Sequence, residues 1–294
     1  MIEEKNKTEG STLYLVGTPI GNLADISERA KKVLSEVDFI AAEDTRNTAR
    51  LLSVFGIKAE LISYHEHNKR SSGERIVERL LGGESCALVT DAGMPAISDP
   101  GEDLVKLCSE SKITVRIIPG PCAAVSALAL SGLSTSRFAF EGFLPTAKAE
   151  KKKRLTDAAT DRHTLIFYEA PHKLRATLSD MKEAFGDDRK ISLCRELTKI
   201  NEEILRTTLG EAVEYYSERE PRGEYVIVIE GFVGDARVSA STEELPSPEE
   251  QVEAYVKDGM RRMDAIKKAA KERGMTKSEL YKILNTESYE YEDS

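Results

Sequence analysis

A chain of 294 residues is too long for one minimal core and short for three full domains, so two domains with a small appendage are expected. With 40% apolar and 32% charged residues and no Trp, the composition is globular and excludes collagen-like, disulfide-scaffold and wholly disordered chains. The net charge of −9 argues against a protein that coats nucleic acid indiscriminately, while leaving room for local basic patches.

Residues 1–11 form a polar tail with no apolar stretch of signal-peptide type. No run of about 18 apolar residues follows, so no membrane contact is expected and the protein is placed in the cytoplasm. The cysteines at 86, 108, 122 and 194 lack the paired spacing of a zinc site and read as reduced thiols. From residue 12 the chain alternates short apolar runs with amphipathic stretches. Strands are predicted at 13–16, 37–41, 61–64, 85–89 and 114–118, with helices near 26–36, 45–54, 73–82 and 101–111. Strand, helix, strand at this spacing predicts crossover units and a mainly parallel sheet over 12–121. Pro119-Gly120-Pro121 punctuates the chain, and 122–131 predicts a small-residue helix that either half could own.

The second half, 122–233, predicts strands at 138–143, 164–168, 190–194, 203–208 and 225–229, with longer helices near 172–185 and 210–219. Their closer setting predicts a second α/β domain with a mixed sheet. Residues 234–248 are polar with two prolines and read as a linker. Beyond it, 249–257, 263–273 and 277–284 predict a helical basic domain over 249–285. Residues 257–282 hold nine basic and four acidic side chains, and an acidic tail, 286–294, closes the chain.

The segments that promise chemistry sit where strands end. Gly17-Thr18-Pro19-Ile20-Gly21-Asn22 follows the first strand, where bare glycines let backbone approach a ligand, although the spacing is not that of a dinucleotide fingerprint. Glu43-Asp44-Thr45-Arg46 follows the second; it reads either as a helix cap or as paired carboxylates and an arginine lining a cleft. Residues 90–101, TDAGMPAISDPG, form a long loop of small residues, two acids and two prolines, more elaborate than a connection needs. Asp99-Pro100 reads as a helix start with Pro100 at its first position. Tyr168 to Lys173 and Arg195 to Lys199 pack charge at strand ends in the second half, and Arg222-Gly223-Glu224 precedes the last strand. His65 and His67 are two residues apart and would share a face of a strand, but the sequence names no third ligand, so no metal is expected.

In order, these blocks resemble one family. LYLVGTPIGNL at 13–23, AAEDTR at 41–46, DAGMPAISDPG at 91–101, PGP at 119–121, FEGFLP at 140–145, FYEAPH at 167–172, RELTK at 195–199 and GEYVIVIEG at 223–231 are similar to the ribosomal RNA small-subunit methyltransferase I family of the tetrapyrrole-methylase superfamily. Met94, Cys122 and Lys173 stand where Thr, Ser and Arg are usual. The resemblance implies an α/β, two-domain tetrapyrrole-methylase-like fold with S-adenosylmethionine held between the domains. The cofactor contacts it implies are Pro19, Ile20, Gly21, Asp91, Gly93, Pro95, Ala96, Ile97, Cys122, Ala123, Tyr168, Leu197 and Gly223. It also implies a homodimer, and as substrate the ribose 2′-hydroxyl of a cytidine in the decoding region of 16S rRNA, in the small ribosomal subunit, with no role for DNA.

In-line methyl transfer from a sulfonium calls for alignment and a proton acceptor. Glu43, Asp44 and Arg46 are the candidates, as base and as phosphate grip. RNA contact is expected from Lys148, Lys151, Lys152, Lys153 and Arg154, from Arg195 and Lys199, and from Lys267, Lys268, Arg273 and Lys277 in the basic tail. Two other readings remain: a methyltransferase of the same superfamily acting on a tetrapyrrole or a modified histidine, and a non-catalytic RNA-binding assembly factor.

Overall fold

The structure is a computed structural model describing residues 7–234, 247–273 and 275–286. The expected linker and acidic tail fall almost wholly outside the described residues. The chain divides into two compact units, the first ending at Phe232 and the second starting at Val233.

The first sheet takes up the amino-terminal half. Its strands are β1 (Thr12–Val16), β2 (Phe39–Ala42), β3 (Glu60–Ser63), β4 (Ser85–Val89) and β5 (Thr114–Ile118). They are joined through helices α1 (Glu28–Glu36), α2 (Thr45–Val54), α3 (Lys69–Leu81) and α4 (Gly101–Glu110). All strand pairs are parallel, in the order β3-β2-β4-β1-β5. Every residue of β1, β2 and β4 is buried, because helices cover both faces of the sheet. Tyr14, Val16 and Ile40 pack on one face with Val33 and Leu34 of α1. Leu13, Leu15 and Phe39 pack on the other with Ile76 and Leu80 of α3 and Leu104 of α4. α3 starts four residues before its apolar periodicity does, since Lys69 to Ser72 form a polar turn. α4 starts at Gly101, where the helix near 101–111 is expected, but Pro100 is its cap residue and not its first helical position.

The second sheet is mixed, as its close strand spacing implies. Its order is β6-β7-β10-β8-β9, built from β6 (Phe138–Phe143), β7 (Thr164–Glu169), β8 (Lys190–Arg195), β9 (Glu203–Thr208) and β10 (Tyr225–Ile229). β6 and β7 are parallel and the other pairs antiparallel. The helices here are α5 (Ala123–Leu130), α6 (Lys148–Ala158), α7 (Pro171–Phe185) and α8 (Leu209–Glu218). Ala124, Ala127 and Leu128 of α5 pack against Ile166, Cys194, Val226 and Val228, so the linking helix belongs with the second sheet. The lysine-rich segment after β6 forms α6, a helix anchored by Leu155 and Ala158 that periodicity alone did not reveal.

The carboxy-terminal unit consists of α9 (Pro248–Lys257), α10 (Arg262–Glu272) and α11 (Lys277–Thr286). Ser247 and Glu250 close a capping box at the start of α9, with Pro248 in the first turn. Val252, Ala265, Ile266, Ala269, Ala270, Leu280 and Leu284 give this unit its own small core. No described helix is long and apolar enough to cross a membrane.

Candidate active site

The strands of a parallel sheet point their carboxyl ends one way, and ligands gather there. Three loops at that edge interlock. The loop after β1 and the loop after β4 exchange backbone hydrogen bonds: Thr18 N–H donates to the Gly93 carbonyl at 2.9 Å and Gly93 N–H to the Thr18 carbonyl at 3.2 Å. The buried Thr18 hydroxyl donates to the Thr90 carbonyl at 3.2 Å. After β5, Gly120 lies so close to Gly17 that a Cβ on Gly120 would sit 2.9 Å from the Gly17 Cα. That contact explains both glycines. Gly120 N–H also donates to the Met94 sulfur at 3.2 Å.

Within the loop 91–99 the backbone is forced into left-handed geometry at Gly93 (φ 86°), Ala96 (φ 66°) and Ser98 (φ 63°). Two of these are not glycine, and such strain persists only where the surroundings hold it. Asp99 does the holding. Its carboxylate accepts from the backbone N–H of Ala96 at 3.0 Å, Ile97 at 3.1 Å and Gly101 at 2.7 Å.

Facing these loops, the second sheet supplies side chains. The Tyr168 hydroxyl accepts from Ala124 N–H at 3.2 Å, and burial pushes its pKa up to about 12. Glu169 is 6% exposed; its carboxylate accepts from Ala170 N–H at 2.8 Å and from the Thr177 hydroxyl at 2.5 Å. The Lys151 ammonium in turn donates to Thr177 at 2.9 Å and pairs with Asp180 at 2.7 Å. Lys199 lies between Glu196 and Glu224, at 2.9 Å from each.

Between the two walls is a cavity of about 520 Å³, within the range of small-molecule sites. Ile20, Gly93, Ile97, Cys122, Ala123, Tyr168 and Leu197, all expected cofactor contacts, line it. Six other expected contacts do not. Pro19 and Pro95 are buried, and Asp91 is exposed, accepting from the Asn47 amide at 3.0 Å. Ala96 packs toward the core beneath the first sheet rather than into the cavity. Gly21 is exposed, and a Cβ there would run into the side chains of Lys199 and Thr198. Gly223 (φ 78°) acts indirectly, because its missing side chain leaves room for Glu196, 2.5 Å from where a Cβ would stand.

The neighbouring acids Glu43 and Asp44 separate. Glu43 lines the cavity, where burial, then the nearby Asp91 carboxylate, raises its pKa. Asp44 does not line it. Its carboxylate caps α2 by accepting from Arg46 N–H at 2.8 Å and also holds the Arg46 guanidinium at 2.7 and 3.1 Å. Those bonds keep Asp44 well below the usual carboxylate range. The helix-cap reading therefore holds for Asp44 and the cleft reading for Glu43.

Several expected RNA contacts are engaged elsewhere. Besides Lys151 and Lys199, Lys152 pairs with Glu183, Arg154 with Glu141 and Arg195 with Glu203. Lys148 and Lys153 stand exposed on α6. In the carboxy-terminal unit Lys267 and Lys277 are exposed, Lys268 lies 4.2 Å above the Tyr255 ring, and Arg273 donates to Gln251. Wall residues absent from the expected set include Thr90, Ser98, Phe143, Glu169, His172 and Glu224. Glu169 and His172 fall within the charged strand end Tyr168 to Lys173, Thr90 and Ser98 within the loop 90–101, and Glu224 within Arg222-Gly223-Glu224. Phe143 carried no signal beyond its block.

The description "Tetrapyrrole (Corrin/Porphyrin) Methylases" matches residues 12–213. Among solved structures the chain resembles uroporphyrin-III-C-methyltransferase from Thermus thermophilus, with a TM-score of 0.54, 18% identity, and 74% of this chain and 94% of that one covered. It also resembles cobalt precorrin-4 methyltransferase, with a TM-score of 0.55, 18% identity, and 75% and 95% covered. Fold and match together define the class, S-adenosylmethionine-dependent methyltransferases.

Three proteins called "Ribosomal RNA small subunit methyltransferase I" narrow it. The one from Halalkalibacterium halodurans is 47% identical over 96% of this chain and 98% of its own length. That from Bacillus subtilis is 47% identical over 94% of each, and that from Escherichia coli O157:H7 43% identical over 92% and 93%. The chain belongs to the ribosomal RNA small subunit methyltransferase I family of tetrapyrrole methylases. The cavity suits the cofactor of that family: a nucleoside-sized space, apolar on much of its wall, with carboxylates present for a cationic sulfonium.

Proposed function

We propose that this protein methylates the ribose 2′-hydroxyl of a cytidine in the decoding region of 16S rRNA within the small ribosomal subunit. One observation carries the choice of RNA over a tetrapyrrole or a modified histidine: relatives up to 47% identical, matched along more than nine-tenths of this chain, are named for ribosomal RNA. A non-catalytic assembly factor would have no need of the cavity and its raised carboxylate. The expected working compartment is the cytoplasm, and no DNA or membrane role is assigned.

S-adenosylmethionine, when bound, supplies a methyl group already activated on a sulfonium. Ile20, Gly93, Ile97, Cys122, Ala123, Tyr168 and Leu197 would hold it. The interlocked loops after β1, β4 and β5 fix the reacting groups in place; orientation of this kind contributes roughly 7–11 kcal/mol in favourable cases. Glu43 accepts the hydroxyl proton as the new bond forms, its raised pKa making it a better base than an ordinary carboxylate. Arg46, on the turn beside it and 84% exposed, offers the remaining edge of its guanidinium to an RNA phosphate. Lys148, Lys153, Lys267 and Lys277 are the exposed cations proposed to meet the RNA backbone. A homodimer is proposed as well. Val125 and Leu130 on α5, 53% and 37% exposed, offer apolar surface for it, and sedimentation velocity checks the mass.

The deciding assay incubates protein and S-adenosylmethionine with small subunits from a strain lacking the enzyme. Mass spectrometry of rRNA fragments should find one cytidine-containing fragment heavier by a methyl group. Methylation of a tetrapyrrole instead, or of no RNA, rejects the assignment. A chain ending at Phe232 should keep cofactor binding, since its two sheets are complete, but lose subunit affinity. Its RNA binding should also depend less steeply on salt, because fewer counterions are released. Parental affinity and salt slope in the truncated chain would remove the helical unit from RNA contact.

A further inference from the structure

Phe143, the last residue of β6, is 57% exposed and lines the cavity. In a regular strand Phe140 and Phe143 would stand on opposite faces. Here the register against β7 pairs Phe140 with Ile166, then, across a bulge, Gly142 with Phe167 and Phe143 with Tyr168. Ile166 and Tyr168 are two residues apart and share a face. The extra residue therefore moves Phe143 onto the side of Phe140, Ile166 and Tyr168, toward the cavity. Without it, Phe143 would stand with Phe167 over the opposite core.

The bulge needs Gly142, whose φ is 63° and whose missing Cβ would lie 3.0 Å from the Ser98 hydroxyl. Tyr168 steadies the ring edge-on, with centroids 5.5 Å apart and planes at 60°. Bulges beside active sites commonly re-aim a side chain. This one delivers a large aromatic ring, more than half exposed, to the wall of a cavity that also includes Ile97 and His172.

The geometry points to Phe143 as the stacking platform for the base of the nucleotide being methylated, an inference that rests on the RNA reading above. A ribose hydroxyl within a stacked strand cannot be presented in line to a donor held in a cavity, so the nucleotide must turn out of its stack. An exposed aromatic face recovers the stacking that is given up. Lys148 and Lys153 stand exposed on α6, the helix that follows β6 in the chain, and offer positive charge to RNA phosphates. Every base has a π-face, so Phe143 supplies affinity and placement rather than a choice among bases.

Two readouts test this. The chain has no tryptophan, so Phe143→Trp adds a single fluorescent reporter. Titration with a short single-stranded RNA containing cytidine should quench its emission saturably. Phe143→Ala should raise KM for small subunits by about 5-fold to 150-fold, the range expected for one lost base stack. Its S-adenosylmethionine affinity by calorimetry should be unchanged, and Phe143→Tyr should restore KM. Parental KM in folded Phe143→Ala overturns the assignment, as does absence of quenching while anisotropy reports the oligonucleotide bound. Loss of cofactor affinity in Phe143→Ala overturns it too, by giving the ring to the cofactor. Failure of the RNA reading looks different: the parent protein then transfers no methyl group to small subunits.

Discussion

On the first-sheet side, three loops lock together through main-chain hydrogen bonds, a glycine-to-glycine contact and left-handed residues held by Asp99. On the second-sheet side, the cavity meets long side chains: Tyr168, Glu169 propped by Thr177 and Lys151, and Lys199 between two glutamates. A backbone-built wall has few ways to adjust, since moving one loop moves the others. A side-chain-built wall can lose one group and relax. The difference implies that the first wall sets geometry and the second tunes charge and contact.

The largest expected effect comes from Glu43, the acid at the end of β2 on the rigid wall. Glu43→Gln should lower kcat by about 10²–10⁴-fold, the usual worth of a positioned general base, with cofactor affinity held. Turnover in the parent should rise with pH through a value above the ordinary glutamate range, because the carboxylate must be ionised to accept a proton. Stability runs the opposite way. A carboxyl whose folded pKa is raised contributes stability below its unfolded pKa, and that contribution is lost as pH rises through the folded value. At neutral pH Glu43→Gln should therefore melt no lower than the parent. Near-parental kcat in this variant would remove Glu43 as the base and direct attention to Glu169 and Glu196.

Next comes the contrast between the walls themselves. Gly120→Ala puts a methyl group against the Gly17 main chain, at 2.9–3.0 Å. Neither side can yield without shifting the loop, so about 1–3 kcal/mol of stability should go, together with most cofactor affinity. Lys199→Met on the other wall leaves Glu196 still accepting from Glu224 N–H at 3.0 Å. It should weaken cofactor binding less than Gly120→Ala does, with little change in melting. Calorimetry and thermal melts on the two variants make the comparison. Equal losses would mean that the walls do not differ in rigidity.

Much of this was legible in the sequence because the elements obey simple patterns. Buried parallel strands read as unbroken apolar runs, and the loops at their ends carried Gly, Pro and Asp in excess of any turn's needs. What stayed hidden depended on three dimensions. Lys151 and Lys199 look like RNA contacts in sequence, yet Lys151 is held by the remote Asp180, and Lys199 by its neighbour Glu196 and the remote Glu224. Ala96 sits in the right loop, but its left-handed backbone goes with a side chain packed toward the core. Phe143 faces the cavity only because of a bulge, and no alternation rule announces an extra residue. The lysines of α6 masked a helix whose apolar face is just Leu155 and Ala158.

The smallest expected effect belongs to Asp44, one residue from the largest. The peptide chain turns at this point from β2 into α2, so consecutive side chains leave in different directions: Glu43 to the cavity, Asp44 to the helix N-terminus. Asp44→Asn keeps an oxygen that can accept from Arg46 N–H, so the cap survives. It loses the charge that pairs with the Arg46 guanidinium, and exposed pairs of this kind contribute little. Melting should fall slightly at neutral pH. A carboxylate held below its ordinary range stabilises above that range, and the contribution is lost as pH falls through the lowered value. The gap between Asp44→Asn and the parent should therefore close in strong acid. Turnover on small subunits should stay close to parental at neutral pH, because the proton acceptor is next door. A collapse of kcat in Asp44→Asn matching that of Glu43→Gln would show that the two acids act as a pair, and that the turn between them belongs to the chemistry as well as to the fold.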